Sequence, residues 1–196
     1  MAEEYPIYDF NPQSLPLELL QNIGFVAMAA AQLEAAVQDL IGALLGADGI
    51  ETKALTLHMA APLKDQVVRS LVGINAMSAE TIDETDELMD RVKDALERRN
   101  VVLHNSIIKH PDGTLWSLRE RSRGELQVEL SPIDVESIKE DAALIYHVSI
   151  QVIQFMNAYG IAPKNRTRPR HPMINRGKKA RSDRIDARRN ERINKD

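Results

Sequence analysis

The feature that most constrains the fold of this chain is a regular spacing of apolar positions that ends in a short polar cluster. The apolar positions recur every three or four residues: Ile82, Thr85, Leu88, Met89, Val92, Ala95 and Leu96. This spacing predicts a helix with one buried face. At about 100° per residue, Arg99 falls in the middle of that face, and Asn100 and His104 share the neighbouring stripe. Because a guanidinium keeps its proton, a core-facing Arg99 needs an anion or other acceptors.

Composition favours a single domain built of packed helices. Hydrophobic residues make up 43% of the 196 residues and aromatic residues only 4%, which suits helix-on-helix packing. The absence of cysteine excludes disulfides, thiolate zinc sites and cysteine catalysis. The N-terminus lacks a signal-peptide pattern, and the helical segments are interrupted by charge, so we expect a cytoplasmic protein that does not span a membrane.

The first helix is predicted to be unusually long. Ser14 offers an N-cap with Pro16 in the first turn, an apolar stripe runs from Leu19 to Leu44, and Gly46 supplies the stop. About 30 residues span about 45 Å, which is more than a small four-helix core needs. The helix is therefore expected either to kink or to pack partly on another chain.

Later segments alternate between helical and strand patterns. Pro62 begins a helix that runs to about Ile74, and Ser78 or Thr81 begins the helix that carries the polar cluster. Alternating apolar residues over 105–130 predict a small hairpin or meander, with turns at 111–113 and 121–124. Ser131 is predicted to cap a last helix that begins near Pro132 and ends at Gly160.

These elements predict an irregular leader over 1–13, a helical domain over 14–160 and a basic tail over 161–196. Residues 163–196 carry 13 of the 25 Lys and Arg residues but only 4 of the 29 acidic residues, a formal charge of +9. The tail has too few apolar residues to offset the entropy of ordering, so we expect it to be disordered. Its charge favours non-specific nucleic-acid binding, and the alternative is that it lies on the acidic body of the same or a second chain.

The polar cluster resembles the motif of the HEPN superfamily (higher eukaryotes and prokaryotes nucleotide-binding). The shared features are Arg99, the polar Asn100, three further residues and His104, at the end of the third main helix of a four-helix unit. The long first helix with its Gln32-Leu33-Glu34 segment and the hairpin before the last helix are similar too. The resemblance covers about residues 15–160, and only the short motif is specific in sequence.

The resemblance implies a mainly all-α fold: a four- to five-helix HEPN-like bundle with a small β-hairpin insertion before the last helix. It also implies a homodimer in which two motifs face each other, and in many members a metal-independent endoribonuclease of the toxin or defence kind. His104 would then be the acid/base, Arg99 the phosphate ligand and Asn100 the residue that orients one of them. An antitoxin or a nucleotidyltransferase would be a natural partner. Other members are non-catalytic binding or interaction modules, and that alternative stays open.

Several further residues complete the predicted site. Glu34, at the edge of the first helix's apolar stripe, is either the orienting partner of Arg99 or a solvated edge carboxylate. Basic residues of the hairpin and tail are candidates for contacting RNA, or else are solubilising charges: Lys109, Arg119, Arg121, Arg123, Lys178, Lys179, Arg181, Arg184, Arg188 and Arg189. No cofactor-type glycine loop or metal-ligand spacing occurs in the sequence, so neither a cofactor nor a metal is expected.

Overall fold

The computed structural model describes residues 9, 11–123 and 125–164, with the side chains of 121–126 left aside. In this part the chain is mainly helical with a small antiparallel sheet. A 3₁₀ turn at Pro12–Ser14 is followed by α1 (Leu17–Leu45), α2 (Gly49–Thr56), α3 (Ala61–Ile74), α4 (Ala79–His104), β1 (Ser106–Lys109), β2 (Leu115–Arg123), β3 (Glu125–Pro132) and α5 (Val135–Ala158).

The core forms around α1, which contacts each of the other four helices in the described part. The largest fully buried side chains include Leu33, Leu40 and Ile41 of α1 and Ile145 of α5. Helices α4 and α5 are antiparallel, because Arg98 near the end of α4 pairs with Asp141 while Tyr159 reaches back to Glu84. Removing this apolar area from water is the main source of stability.

The predicted buried face of α4 is confirmed from Thr85 to Leu96. Ile82 is an exception, because it is exposed and the buried stripe begins one residue earlier, at Thr81. The hydroxyl oxygen of Ser78 accepts from the Thr81 N–H, so Ser78 is the N-cap of the two predicted candidates.

Two other predicted helix ends are also confirmed. Gly46 adopts a left-handed φ of 63° immediately after α1, the conformation that glycine reaches without steric cost. Pro62 lies in the first turn of α3, where its missing N–H would have no helical partner.

Two predicted helix starts are wrong. Ser14 belongs to the 3₁₀ turn, where its hydroxyl donates to the Asn11 carbonyl, and Pro16 is the residue before α1. Ser131 and Pro132 are the end of β3, and Asp134 caps α5 by accepting from the Glu136 N–H. In both cases a serine that could cap a helix lies before the true start. The hydroxyl of Ser14 is taken up by the 3₁₀ turn, and β3 continues through Ser131.

The strand segment forms a three-stranded antiparallel meander in the order β1-β2-β3. Its first turn, with Gly113 at a φ of 92°, lies where the sequence predicts it. The second predicted turn is wrong over Arg121 to Arg123, because these residues belong to β2 and Arg123 pairs with Glu125. Both strands therefore extend further than the alternation of apolar residues indicated.

The two ends of the described chain are tied to the body. Asp9, in the predicted irregular leader, exchanges two backbone hydrogen bonds of 3.0 Å with Lys109 of β1. At the other end, Ile161 is partly buried against the core, and the backbone of Lys164 forms an isolated parallel β-bridge with Asp48. Residues 161–164 of the predicted tail therefore belong to the helical domain. Residues 165–196, and with them the predicted disorder of the tail, lie outside the described residues.

By length and composition α1 is a candidate membrane span, with a mean hydropathy of 1.2 over its most apolar stretch of 18 residues. Half of that stretch is buried among the other helices, as in the core helix of a soluble protein. The expectation that no segment resembles a membrane span in composition is therefore wrong for α1.

Candidate functional site

The last two turns of α4 present the three motif residues to different surroundings. Arg99 is partly buried and faces α1, whereas Asn100 and His104 are exposed. Five residues of an α-helix separate Arg99 and His104 by about 140° around the helix axis. Arg99 and Asn100 line a cavity between α1, α3 and α4, and His104 is not among the residues that line it. Arg99 and His104 of one chain therefore do not share this cavity.

Arg99 is held by Glu34 of α1. Its Nη2 donates to Glu34 Oε1 over 2.6 Å, and the side chains are 20% and 37% exposed. The short distance indicates a charge-assisted hydrogen bond. Glu34 is therefore a direct partner of Arg99 while its carboxylate stays partly exposed, and its role in orienting Arg99 for catalysis stays a prediction.

The Nε of Arg99 is buried and has no acceptor among the described residues. A buried donor without an acceptor carries a desolvation cost of about 1–3 kcal/mol. The guanidinium is thus fixed on one side by a carboxylate and unsatisfied on the other.

Sequence reasoning missed a second cation in this site, Lys64. Its side chain is only 7% exposed, and its Nζ lies 3.8 Å from Glu34 Oε2. Lys64 shares the buried face of α3 with Val68 and Val72 at a four-residue spacing. The signal that could have found it is the one that marked Arg99: a basic residue at a position where the helical repeat calls for an apolar one.

The cavity that these charges border has a volume of about 510 Å³. Glu34, Lys64, Arg99 and Asn100 are among the eight polar residues that line it, together with apolar side chains that include Val37, Met59, Met89, Val92 and Leu96. A concave, mostly apolar space with a few convergent polar groups has the form of a small-molecule site.

Two of the predicted RNA-contacting residues lie on described parts of the sheet. Both the backbone N–H and the carbonyl of Lys109 in β1 are hydrogen-bonded to Asp9, and the residue is partly buried. Arg119 in β2 stands directly opposite Glu129 of β3, so an acidic residue is its cross-strand neighbour. Neither residue lines the cavity that holds Arg99.

The remaining predicted contacts are described only in part or not at all. Arg121 and Arg123 have their backbones in β2, and their side chains lie outside the described residues. The six tail residues lie wholly outside them: Lys178, Lys179, Arg181, Arg184, Arg188 and Arg189. RNA contact by these basic residues thus stays a prediction from sequence.

Across the part of the chain that the structure describes, no group of three or more metal-ligating side chains is close enough to hold a metal ion. Comparison with protein-family models, with curated proteins and with solved structures gives no match to this chain.

Proposed function

We propose that this protein is a metal-independent endoribonuclease of the HEPN type that acts as a homodimer. The observation that carries the proposal is the state of His104. Its imidazole is solvent-exposed at the end of the helix that holds Arg99, and it has no partner among the described residues. Histidine is the commonest general acid/base in enzymes, and an imidazole without a partner leaves its ring nitrogens open to a substrate.

In the proposed reaction one His104 removes the proton from a ribose 2′-hydroxyl, and the 2′-oxygen attacks the adjacent phosphorus. The bond to the 5′-oxygen breaks, and a second His104 returns a proton to that oxygen. The products are a 2′,3′-cyclic phosphate and a free 5′-hydroxyl. Arg99 stabilises the negative charge that grows on the phosphoryl oxygens, and Asn100 orients the phosphate or the imidazole.

A dimer is required because one chain presents Arg99 and His104 about 140° apart on α4. A two-fold axis would let Arg99 of one chain act with His104 of the other. Exposed apolar side chains support the homodimer. Phe25, Met28 and Tyr146, each more than half exposed, border a groove of about 460 Å³ between α1 and α5. The length of α1, 29 residues, also favours a homodimer, because it is more than a small four-helix core needs.

The biological setting that suits such an enzyme is a cytoplasmic toxin or defence effector. A neutralising antitoxin or a nucleotidyltransferase would then be its partner, and the basic tail would hold RNA near the site. Co-expression with such a partner is expected to relieve any arrest of growth that the protein causes.

The test is incubation of RNA with the full-length protein in EDTA. We expect cleavage to 2′,3′-cyclic phosphate ends, and a loss of rate of about 100-fold or more in His104→Ala, the usual contribution of an acid/base group. His147→Ala is the matched control, because His147 is an exposed histidine on α5. Wild-type protein that leaves RNA intact, or His104→Ala that cleaves at the wild-type rate, would end the proposal.

The second candidate is a non-catalytic nucleic-acid-binding or protein-interaction module. The ion pair between Arg99 and Glu34 favours it, because a guanidinium already paired at 2.6 Å can serve packing alone. This function predicts salt-sensitive RNA binding without any cleavage product.

A further inference from the structure

Two cations share one carboxylate in the cavity between α1, α3 and α4. Arg99 and Lys64 converge on the single carboxylate of Glu34, at 2.6 Å and 3.8 Å. The ammonium of Lys64 makes no hydrogen bond to any described residue, although its side chain is only 7% exposed. Because Arg99 makes the short contact with Glu34, the positive charge of Lys64 is the less well paired of the two.

The other charged residues that line the cavity are Asp65, Lys93 and Glu97, and with them the charge of the whole lining is zero. Asp65 is engaged by Arg69, whose Nε lies 3.1 Å from both carboxylate oxygens and which is shared with two further carboxylates. Lys93 and Glu97 are exposed, lie one helical turn apart on α4 and carry opposite charges. Among the described residues, Glu34 is thus the only carboxylate within 4.0 Å of the Lys64 ammonium.

A buried ammonium is costly unless an anion pairs with it and accepts its hydrogen bonds. The walls around it are apolar, with Met59 on the loop before α3 and Met89 and Leu96 on α4. The volume of about 510 Å³ lies within the range of small-molecule pockets. The site thus combines one unsatisfied cation with room for an apolar group.

We infer that this cavity binds a small molecule that carries one carboxylate on an apolar body. The carboxylate accepts hydrogen bonds from Lys64, so that Lys64 and the ligand form one neutral pair and Arg99 and Glu34 form the other. The apolar body lies against the methionines and Leu96. This ligand site goes beyond the proposed ribonuclease activity and does not involve His104.

The first test uses octanoate as the probe with the full-length protein, in calorimetry and in thermal melts. We expect saturable binding of one octanoate per chain and a higher melting temperature. Octanol lacks the charge and acetate lacks the apolar body, so each is expected to bind at least about tenfold more weakly. Absence of saturable octanoate binding, or octanol binding as tightly as octanoate, overturns the inference.

The second test compares two lysines of the cavity. Lys64→Met removes the charge but keeps an apolar side chain, and should weaken octanoate binding by about tenfold or more. Lys93→Met, at the exposed edge, should change the affinity by no more than about twofold, since an exposed charge contributes little. Unchanged binding by Lys64→Met contradicts the inference.

A third variant keeps the inference falsifiable if Lys64→Met fails to fold. Ala60 is exposed on the cavity lining, so Ala60→Trp places a bulky side chain there without touching the buried charges. It should abolish octanoate binding, and full binding by Ala60→Trp would overturn the inference. His104→Ala is expected to lose RNA cleavage and keep octanoate binding, so this inference and the proposed function fail separately.

Discussion

The two ends of the polar motif on α4 have opposite environments. Arg99 points inward, where Glu34 pairs with it and Lys64 adds a second buried cation. His104 points outward at the end of the same helix and has no partner among the described residues. The inner end is thus paired with a carboxylate, and the outer end has no partner in the described part of the chain. Helical spacing alone therefore does not tell which motif residues act together.

RNA affinity should depend more on the basic residues of the tail than on the inner cluster of Arg99, Lys64 and Glu34. Changing the six tail residues Lys178, Lys179, Arg181, Arg184, Arg188 and Arg189 to Gln is expected to weaken RNA binding and to lower the slope of log K against log salt by about 4. Fluorescence anisotropy across a salt series measures this slope. The control is Lys109→Gln with Arg119→Gln, for which the slope should fall by no more than about 1.4. An unchanged slope in the tail variant would mean that the tail contacts the acidic body instead.

Removal of Glu34 should be the most destabilising single change in the inner cluster. Glu34→Ala leaves Arg99 and Lys64 without a counter-charge, and we expect a loss of about 2 kcal/mol in the free energy of unfolding. This is less than the 3–5 kcal/mol typical of a fully buried pair, because the carboxylate is 37% exposed. Arg99→Ala should cost less, since Lys64 still has Glu34 as its partner. Urea unfolding measures both, and Glu34→Ala losing less than Arg99→Ala would contradict the charge count.

Neighbouring exposed groups on α4 should matter little for stability. Arg98, one residue before Arg99, pairs with Asp141 over 2.6 Å, but its side chain is 53% exposed. We expect Arg98→Ala to lower the free energy of unfolding by no more than about 1 kcal/mol, as for other surface ion pairs. His104→Ala should change it by less than about 0.5 kcal/mol. A loss from His104→Ala equal to that from Glu34→Ala would place the imidazole inside the fold.

The smallest expected effect lies in the first turn of the sheet. Asp112 has its pKa lowered to about 2, chiefly by hydrogen bonds from the hydroxyl and the N–H of Thr114 and then by His110. Because the folded pKa is below the unfolded value, this contribution to stability is full above pH 4 and is lost as the pH falls through about 2. Thr114→Val should move the pKa of Asp112 towards 3.8, as followed by NMR titration. An unchanged pKa would mean that the hydroxyl has little influence.

The sequence predicted the helices whose apolar residues recur periodically. It missed helix starts that depend on whether a neighbouring turn or strand extends further. The buried face of α4 follows from side chains alone, whereas the start of α5 at Val135 depends on β3 continuing through Ser131. The contact between Arg99 and Glu34 was foreseen as one of two options, because Arg99 falls in the middle of one apolar face and Glu34 lies at the edge of another. Lys64 was missed, although it too is a basic residue at a position where the helical repeat of α3 calls for an apolar one. The angle of about 140° between Arg99 and His104 follows from their five-residue spacing. The structure adds that only Arg99 of the two lines the cavity.

The central claim is that the site of the dimer uses His104 of both chains, and a mixture of wild-type and His104→Ala protein tests it most directly. After co-expression or subunit exchange in equal amounts, about a quarter of the dimers keep two His104 residues and half keep only one. Because the acid and the base are both needed, we expect the mixture to cleave RNA at about a quarter of the rate of the same amount of wild-type protein. Retention of about half of that rate, in a mixture whose subunits demonstrably exchange, would mean that each chain acts alone and would contradict the account.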